Sequence, residues 1–507
     1  MNLPSPSNGK LPQAGNIMLE PHGWRWVWCI VLVFFGLSLA KDVKILMWTD
    51  ELFTLFTARQ ANVNEIVQAI KEGCDGPPPL YAIFVHFLIP IVKNEALAVR
   101  LPSTVGFCAM MLGLFAFCRR RVSTPYALIA SMLACRVTLY YSTEGRSYGA
   151  ILGCAAWALV CWQGAAEGPR RLINLAGLGL FLSLMMALHY YSIFFLGPLL
   201  LVELVRLVRG EKIDFGILAA AAVACGVLAL HYPLFEAGKR SAAHFWLPVS
   251  VVQIHLFYMT FFLPIAGFCS IGILALAVFP NLADEHRPKP VKIPLREWIM
   301  IAAVCLTPAL VVVVSKYTTH AFLDRYVLWS VVGMATLASF VMCRGLRCHR
   351  AAGFAILTIL LVAVAGHEAV GEFSKTPLLR EKQAVLDRLE KLGNGQQAIL
   401  VTDSHAFVEL SYYAPAEIRN RIVYPVRGEL DLRYRNTDSD MLLFAALAKR
   451  TNLHIEEYGK FMAEHQSGFL IASQSDDYLP VHLMLAGLRV TPLGPAKFPM
   501  VWRVGPR

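Results

Sequence analysis

The chain has 507 residues, of which 56% are hydrophobic and 16% are charged, and its formal net charge is +11. Soluble proteins carry about 25% charged residues, so this composition excludes a soluble protein and indicates an integral membrane protein. The positive charge does not indicate nucleic-acid binding, because the basic residues fall in short loops between apolar runs, where membrane topology accounts for them. We therefore expect no nucleic-acid partner.

The first 370 residues consist mainly of apolar runs that predict membrane-spanning helices. Residues 1–23 are polar and rich in Pro, Gly and Asn, which predicts a disordered cytoplasmic leader. In the domain predicted at 24–370, each run of about 17 to 25 residues can cross a hydrocarbon core of roughly 30 Å. About eleven spans are predicted in this way, near residues 24–40, 98–118, 125–142, 147–163, 172–188, 190–206, 213–232, 255–280, 297–314, 322–343 and 351–368.

The basic loops predict which side of the membrane each loop faces. Clusters of Lys and Arg lie in alternate loops, at residues 119–121, 170–171, 206–212, 287–296 and 344–350. Cytoplasmic loops are enriched in these residues, so the intervening loops, including the long first loop at 41–97, are predicted to face outward. This register requires the short apolar segment 80–92 to be interfacial rather than spanning. The expected location is the plasma (inner) membrane, with several passes.

The sequence changes in character beyond residue 370. Short apolar runs at 398–402, 422–424 and 468–472 are typical of buried strands, and helical stretches lie between them. This alternation predicts an α/β domain at 371–507 on the periplasmic or extracellular side. No glycine-rich phosphate loop follows the first strand, so nothing in this region predicts nucleotide binding.

Ionisable and aromatic residues gather at the predicted outer ends of the spans. Burying an ionisable group at membrane depth costs about 2.5–3.5 kcal/mol, so a set on one side needs a shared explanation. A carboxylate there can act as a base, and arginines suit a phosphate. The combination fits transfer of a group from a phosphate-linked lipid. The set includes Asp50, Glu51, Asp75, Tyr81, His86, Arg100, Glu144, Arg146, Tyr148, His189 and Arg325.

Four short motifs occur in order along residues 24–330. They are Asp50-Glu51, an Asp-x-x-Pro-Pro-Leu-Tyr stretch at 75–81, Arg-Leu-Pro-Ser at 100–103 and Tyr-x-x-Glu-x-Arg-x-Tyr at 141–148. Together they resemble the dolichyl-phosphate-mannose protein mannosyltransferase superfamily, and most closely its bacterial members, which include the transferase that places aminoarabinose on lipid A. The resemblance implies a polytopic α-helical membrane protein with the type C glycosyltransferase fold and a polyprenyl-phosphate sugar as the donor.

The resemblance also implies roles for individual residues. Asp50 would be the base of a single inverting displacement, with Glu51 as its acidic neighbour. The residues expected to bind the donor phosphate or the substrate are Tyr81, Arg100, Glu144, Arg146, Tyr148, His189 and Arg325. One position departs from the family's usual Asp-x-His-Pro-Pro motif, because Pro77 replaces the histidine.

The sequence leaves several alternatives open. Asp50 and Glu51 suit the first turn of any surface helix, and Arg100 could extend its charge to the membrane surface. The residues predict no particular cofactor, and a divalent cation at Asp50 and Glu51 is one alternative. The sugar is a hexose or a pentose, and the acceptor is a lipid, a glycan or a protein of the cell envelope. The competing function is a transporter or flippase of a lipid-linked glycan, which would place its charges nearer the membrane midplane.

Overall fold

The structure, a computed structural model, describes residues 23–242, 247–278, 292–366, 397–493 and 500–506, together with residues 387, 389 and 391. Helices make up the described chain as far as residue 366, and an α/β layer structure begins at residue 397. The predicted domain boundary at 370 and nearly all of the predicted leader lie outside the described residues, so these two limits stay predictions.

Sixteen α-helices form the described part of the first region. They are α1 (Gly23–Lys44), α2 (Thr49–Ala58), α3 (Val63–Glu72), α4 (Leu80–Val92), α5 (Glu95–Cys118), α6 (Thr124–Thr138), α7 (Tyr148–Glu167), α8 (Arg171–Leu188), α9 (Leu196–Val208), α10 (Phe215–Leu230), α11 (Tyr232–Ala242), α12 (Val252–Phe257), α13 (Leu263–Val278), α14 (Leu295–Tyr317), α15 (Ser330–Gly345) and α16 (Arg350–Gly366). Short 3₁₀ turns at Leu139–Thr143 and Asp324–Val327 precede α7 and α15.

Seven helical segments within the described residues are long and apolar enough to cross a membrane, or eight if the bent pair α10 and α11 forms one span. The predicted count of about eleven is therefore not confirmed. The other three predicted spans correspond to α6, with 15 residues, and to the short apolar helices α15 and α16. Helices α6 and α15 are short because the chain leaves the α-helix at the 3₁₀ turns, where polar residues of the candidate site lie.

Helices α5 and α7 pack closely because small residues line their contact. A Cβ atom added at Gly106 would lie 2.3 Å from the Cα of Ala150, and one added at Gly149 would lie 2.3 Å from the carbonyl oxygen of Ser103. Small residues allow such backbone contact between membrane helices. The contact brings the segment before α7, with its Glu-x-Arg motif, against the helix that carries Arg100.

The second region contains a six-stranded sheet with strand order β3-β2-β1-β4-β6-β5. Strands β1 to β4 are parallel, and β6 is antiparallel to β4 and β5. The predicted apolar runs correspond to β1, β2 and β4, which confirms the α/β class. The bounds are β1 Ile399–Val401, β2 Ile422–Val426, β3 Ile455–Glu457, β4 Phe469–Ser473, β5 Arg489–Pro492 and β6 Met500–Gly505. The helices are α17 (Ser404–Tyr413), α18 (Ala416–Arg419), α19 (Gly428–Arg435), α20 (Ser439–Arg450), α21 (Tyr458–Glu464) and α22 (Leu479–Leu485).

Helices cover both faces of this sheet. Alternate strand residues point to opposite faces, and the cluster that contains Ile399 and Val401 takes in side chains of α17 and α20. The cluster around Leu400 instead takes in side chains of α21 and α22. Strands β1 and β2 are therefore covered by helices on both faces of the sheet, which explains why their sequences are almost continuously apolar.

The face with α17 and α20 lies against the first region. The Tyr413 hydroxyl accepts a hydrogen bond of 2.6 Å from the backbone N–H of Met47. The guanidinium of Arg450, at the end of α20, pairs with Glu65 and Glu72 of α3. The α/β domain thus rests on the segment that leads into Asp50, with α21 and α22 on its far side.

Candidate active site

The acidic pair lies in the first turn of α2, and the helix sends its two side chains in different directions. Adjacent helical residues do not face each other, so Glu51 is fully buried whereas the side chain of Asp50 keeps 14% of its surface exposed. Glu51 Oε2 also accepts a hydrogen bond from the backbone N–H of Trp48 and so caps the helix, at 3.2 Å. The two acids therefore have different surroundings.

Glu51 forms a buried ion pair with Arg100. The Nε and Nη2 atoms of Arg100 donate to the two carboxylate oxygens at 2.7 and 2.6 Å. The remaining N–H groups donate to the carbonyl oxygens of Asp42, Ile45 and Leu46, at 2.8, 2.8 and 3.1 Å. A guanidinium has five N–H donors, so none is left for a phosphate. The predicted phosphate-binding role of Arg100 is therefore not supported, and Arg100 instead ties the end of α1 to α2.

Glu51 is equally committed to structural contacts. Its Oε1 accepts a second hydrogen bond, of 2.6 Å, from the backbone N–H of Gly145, so that each carboxylate oxygen accepts two. A side chain at Gly145 would not fit, because a Cβ atom there would lie 2.3 Å from Val99 Cγ1. With both oxygens engaged, Glu51 does not suit the predicted catalytic or cation-binding role. Among the residues that the structure describes, no group of three or more His, Cys, Asp or Glu side chains is arranged to hold a metal ion.

Arg146 connects the proline-rich segment with α2. Its Nη atoms lie 2.9 to 3.1 Å from the carboxylate oxygens of Asp75 in a bidentate pair. Its Nη1 also donates to the backbone oxygen of Asp50 at 3.1 Å and to Thr54 Oγ1 at 2.9 Å. Burial raises the pKa of Asp75 while the Arg146 charge opposes this shift. Arg146 therefore positions the backbone of Asp50. The guanidinium of Arg146 was predicted to bind a phosphate, but it is already paired with Asp75.

Among the three arginines predicted to bind the donor phosphate, Arg325 is the one with a donor that is not hydrogen-bonded within the described residues. Its Nη2 lies 2.9 Å from Asp50 Oδ2, and its Nη1 lies 3.8 Å from Glu144 Oε1. Its Nε is buried and makes no hydrogen bond within the described chain. The guanidinium lies 5.7 Å from the ring centres of Trp48 and Tyr148, which is within cation–π range. A buried donor without a partner is rare in proteins and needs an explanation.

Glu144 is a buried carboxyl group beside this arginine. It is only 3% exposed, and neither of its oxygens accepts a hydrogen bond from any residue that the structure describes. Burial raises the pKa of Glu144 to about 8, and the neighbouring Arg325 charge offsets only part of this effect. Glu144 is therefore largely protonated at neutral pH in this arrangement.

Replacing Glu144 with Gln should change how stability depends on pH. The folded protein retains a proton on Glu144 between about pH 4.5 and 8 that the unfolded chain has released, so the free energy of unfolding falls as pH rises through this range. Glu144→Gln removes the titration. We expect similar melting temperatures for the two proteins at pH 5 and a higher one for the variant at pH 9, measured in detergent. A difference that does not vary with pH would contradict the buried carboxyl.

The remaining predicted residues separate into two groups. His189 lies against the cluster, with its ring centre 4.8 Å from that of Tyr326 and 6.2 Å from that of Tyr148. Burial lowers the pKa of His189 to about 3, and its Nδ1 accepts a hydrogen bond from the Tyr191 backbone, so the neutral ring carries its proton on Nε2. Tyr81 is different, because its buried hydroxyl donates to the Val99 carbonyl at 2.8 Å. The predicted substrate contact of Tyr81 is therefore not supported.

Trp48 belongs to the cluster although no sequence motif identified its role, and Tyr326 joins it from the stretch Asp324-Arg325-Tyr326 at the predicted outer end of a span. Each lies close to a predicted residue, since Trp48 precedes Asp50 by two positions and Tyr326 follows Arg325. Adjacent aromatic and charged residues at a loop could have signalled them. The structure brings Asp50, Glu144, Tyr148, His189 and Arg325 into one cluster. Glu51, Arg100 and Arg146 hold the backbone around this cluster through buried hydrogen bonds.

The chain is similar to known proteins in part of its sequence and in its fold. The family model described as "Dolichyl-phosphate-mannose-protein mannosyltransferase" matches residues 76–233. No curated protein matches the chain. Structures of ArnT from Cupriavidus metallidurans, solved with undecaprenyl phosphate and in the apo state, align with 95% of this chain and 98% of theirs, at 13% identity and a TM-score of 0.55. At this identity they show a shared fold. The family match and the shared fold together confirm the predicted resemblance to the dolichyl-phosphate-mannose protein mannosyltransferase superfamily.

Proposed function

We propose that the protein moves a sugar from a polyprenyl-phosphate donor to an acceptor hydroxyl on the outer face of the membrane. The pair of Asp50 and Arg325 carries the proposal, because a partly exposed carboxylate touches an arginine that has donors to spare. The carboxylate suits a base and the guanidinium suits a phosphate. One of the two ArnT structures is bound to undecaprenyl phosphate, which supports a donor of this class.

The reaction is a single displacement. Asp50 removes the proton from the acceptor hydroxyl. At the same time the oxygen of this hydroxyl attacks the anomeric carbon of the donor sugar from the side opposite the phosphate. The bond between this carbon and the phosphate oxygen breaks, so the configuration inverts and polyprenyl phosphate leaves with the electron pair. The leaving anion needs no proton, and the charge that develops on it is stabilised by Arg325.

The same pair suggests a coupling between donor binding and activation of the base. Arg325 Nη2 lies against the Asp50 carboxylate. A donor phosphate would compete for this guanidinium, since arginine binds phosphate and carboxylate with the same fork of donors. Asp50 would then lose its cationic partner when the donor is bound, which leaves Oδ2 free to contact the acceptor hydroxyl.

Arg325→Gln should mainly weaken use of the donor. Loss of charge-assisted hydrogen bonds worth about 1.5–3 kcal/mol corresponds to a 10- to 100-fold fall in kcat/KM for the donor. Arg325→Lys should recover only part of this loss, because lysine lacks the planar fork. Donor kinetics in proteoliposomes measure the effect, with Arg344→Gln as the control on the exposed end of α15. Unchanged donor kinetics in Arg325→Gln would exclude the phosphate contact.

Mass spectrometry of cell-envelope lipids, glycans and proteins tests the function directly. Cells without the gene should lack one sugar substituent, and the wild-type gene, but not the Asp50→Asn gene, should restore it. The lost mass identifies a hexose or a pentose, and the molecule that loses it identifies the acceptor. An envelope that is unchanged in all three fractions would contradict a transferase.

The outward orientation predicts a labelling pattern. In a variant without the exposed Cys29 and Cys225, a cysteine in place of exposed Lys460 on α21 should react with a membrane-impermeant thiol reagent in spheroplasts. A cysteine in place of Arg209, at the end of α9, should react only after lysis. The reverse pattern would place the α/β domain and the candidate active site in the cytoplasm.

A further inference from the structure

The sheet of the α/β domain has a point at which its winding reverses. The chain passes from β1 to β2 through α17 on one face, and it returns from β3 to β4 through α21 on the other face. The segments that leave the carboxyl ends of β1 and β4 therefore diverge. In open parallel sheets, ligands bind in the crevice between such segments. We call this place the switch-point crevice, formed by residues 402–403, Arg427, Tyr434 and residues 474–478.

Arg427 is buried beneath the segments that define the switch-point crevice. It directly follows β2, is only 3% exposed, and donates through Nη2 to the carbonyl oxygen of Thr402 at 3.2 Å. Its Nη atoms lie 3.5 Å from carboxylate oxygens of Asp431 and Asp477. Nε and Nη1 nevertheless make no hydrogen bond within the described residues. Buried donors of this kind are rare unless a ligand or water satisfies them.

An exposed aromatic surface forms the side of the crevice. The Tyr434 ring, on a residue that is 44% exposed, stacks on Tyr478 with ring centres 4.6 Å apart. The Tyr478 ring in turn lies 5.1 Å from the Arg427 guanidinium, and its hydroxyl donates to Asp431 Oδ1 at 2.8 Å. The crevice thus combines an apolar ring face with carboxylates and a guanidinium.

This chemistry fits a carbohydrate. The flat apolar face of a sugar ring packs on an aromatic ring, and its hydroxyl groups both donate to carboxylates and accept from a guanidinium. A nucleotide fits less well, because two carboxylates face one arginine and would repel phosphates. In addition, Asp403-Ser404-His405 follows β1 in place of a glycine-rich phosphate loop.

The crevice is connected to the proposed base. Gln474 on one side donates to the Asp403 carboxylate on the other. Two residues further on, the carbonyl oxygen of His405 accepts a hydrogen bond of 3.3 Å from Thr49 Oγ1. Thr49 immediately precedes Asp50 in α2. A ligand held in the crevice would therefore be anchored to the element that carries the catalytic carboxylate.

We propose that the switch-point crevice binds a sugar residue of the acceptor and holds it for transfer at Asp50. This assignment rests on the proposed function, and it narrows the acceptor to a molecule that already carries a glycan. Tyr434 provides the contact surface, and Arg427 with Asp477 recognises the hydroxyl groups.

The test uses the full-length protein in nanodiscs and saturation-transfer NMR with methyl glycosides of glucose, galactose, mannose, arabinose and N-acetylglucosamine. At least one glycoside should bind the wild type, and Tyr434→Ala should weaken it by about tenfold through loss of ring stacking. Leu485→Ala, at an 82% exposed position of α22, should not change binding. Binding of none of the glycosides, or equal binding by Tyr434→Ala, would overturn the proposal, as would binding of ATP in preference to every glycoside.

Asp50→Asn separates this proposal from the catalytic one. The variant should bind the same glycoside as tightly as the wild type, because Asp50 lies outside the crevice, even though transfer is lost. If Asp50→Asn abolishes transfer while Tyr434→Ala leaves glycoside binding intact, the crevice assignment fails and the transferase stands. If Tyr434→Ala weakens glycoside binding while Asp50→Asn still transfers sugar, the crevice stands and the assignment of the base fails.

Discussion

Asp50→Asn should lower the rate of sugar transfer by about 10²- to 10⁴-fold, the usual contribution of a general base. Asparagine has the same shape but cannot accept the proton of the acceptor hydroxyl. The fold should persist, because the Asp50 side chain is partly exposed and its backbone is held separately by Arg146. Transfer by reconstituted protein and the melting temperature in detergent measure the two effects independently.

A matched carboxylate provides the control for this experiment. Asp324 directly precedes Arg325, and Asp324→Asn removes the same charge from the same neighbourhood without touching the proposed base. We expect Asp324→Asn to transfer sugar within a few-fold of the wild-type rate. Asp50→Asn protein that transfers at nearly the wild-type rate would refute the role of Asp50 as the base.

Arg100→Ala should cause the largest loss of stability, about 3–5 kcal/mol. The substitution leaves the Glu51 carboxylate buried without its cation and removes the hydrogen bonds to the carbonyl oxygens at the end of α1. Little folded protein is therefore expected, and detergent-solubilised samples should lose their monodisperse peak at a much lower temperature. Arg209→Ala, at an exposed arginine of the same charge, should cost less than about 1 kcal/mol.

A double variant tests whether Arg100 acts only through its buried pair. Replacing both partners, as in Glu51→Leu with Arg100→Met, removes the uncompensated charge and should recover part of the lost stability. Any folded Arg100→Ala protein should keep the wild-type KM for the donor. If the variant has a raised donor KM and unchanged stability, Arg100 contacts the donor phosphate and the structural role is wrong.

The ion pairs Glu51–Arg100 and Asp50–Arg325 give the two adjacent acids different surroundings. Glu51 and Arg100 are buried and saturated with hydrogen bonds, so their pair fixes the start of α2 relative to α1. Asp50 and Arg325 form a more exposed pair next to Glu144, whose pKa is raised by burial, and His189, whose pKa is lowered by burial. The Glu51–Arg100 pair holds the first turn of α2 in place, whereas the Asp50–Arg325 pair can separate. This arrangement suits the proposed site, where a donor phosphate would replace the Asp50 carboxylate at Arg325.

Most of the candidate site could be identified from the sequence, but its roles could not be assigned. The ordered motifs and the charged ends of the spans pointed to Asp50, Glu144 and Arg325 among the set. They could not distinguish Glu51 from Asp50, because the orientation of α2 decides which side chain is buried. They could not distinguish Arg100 from Arg325, because the carbonyl oxygens that saturate Arg100 belong to residues 42–46 and come close only in the folded chain.

Composition and apolar periodicity by themselves determined a multi-span membrane protein with an α/β domain, since burial in lipid or in a sheet demands runs of apolar residues of known length. The count of about eleven spans was not confirmed, because helices α6 and α15 give way to polar turns that a hydropathy pattern does not resolve. Only the tertiary structure decided which charges are neutralised and where the sheet reverses its winding. Both depend on contacts between residues far apart in the chain, which local sequence patterns do not encode.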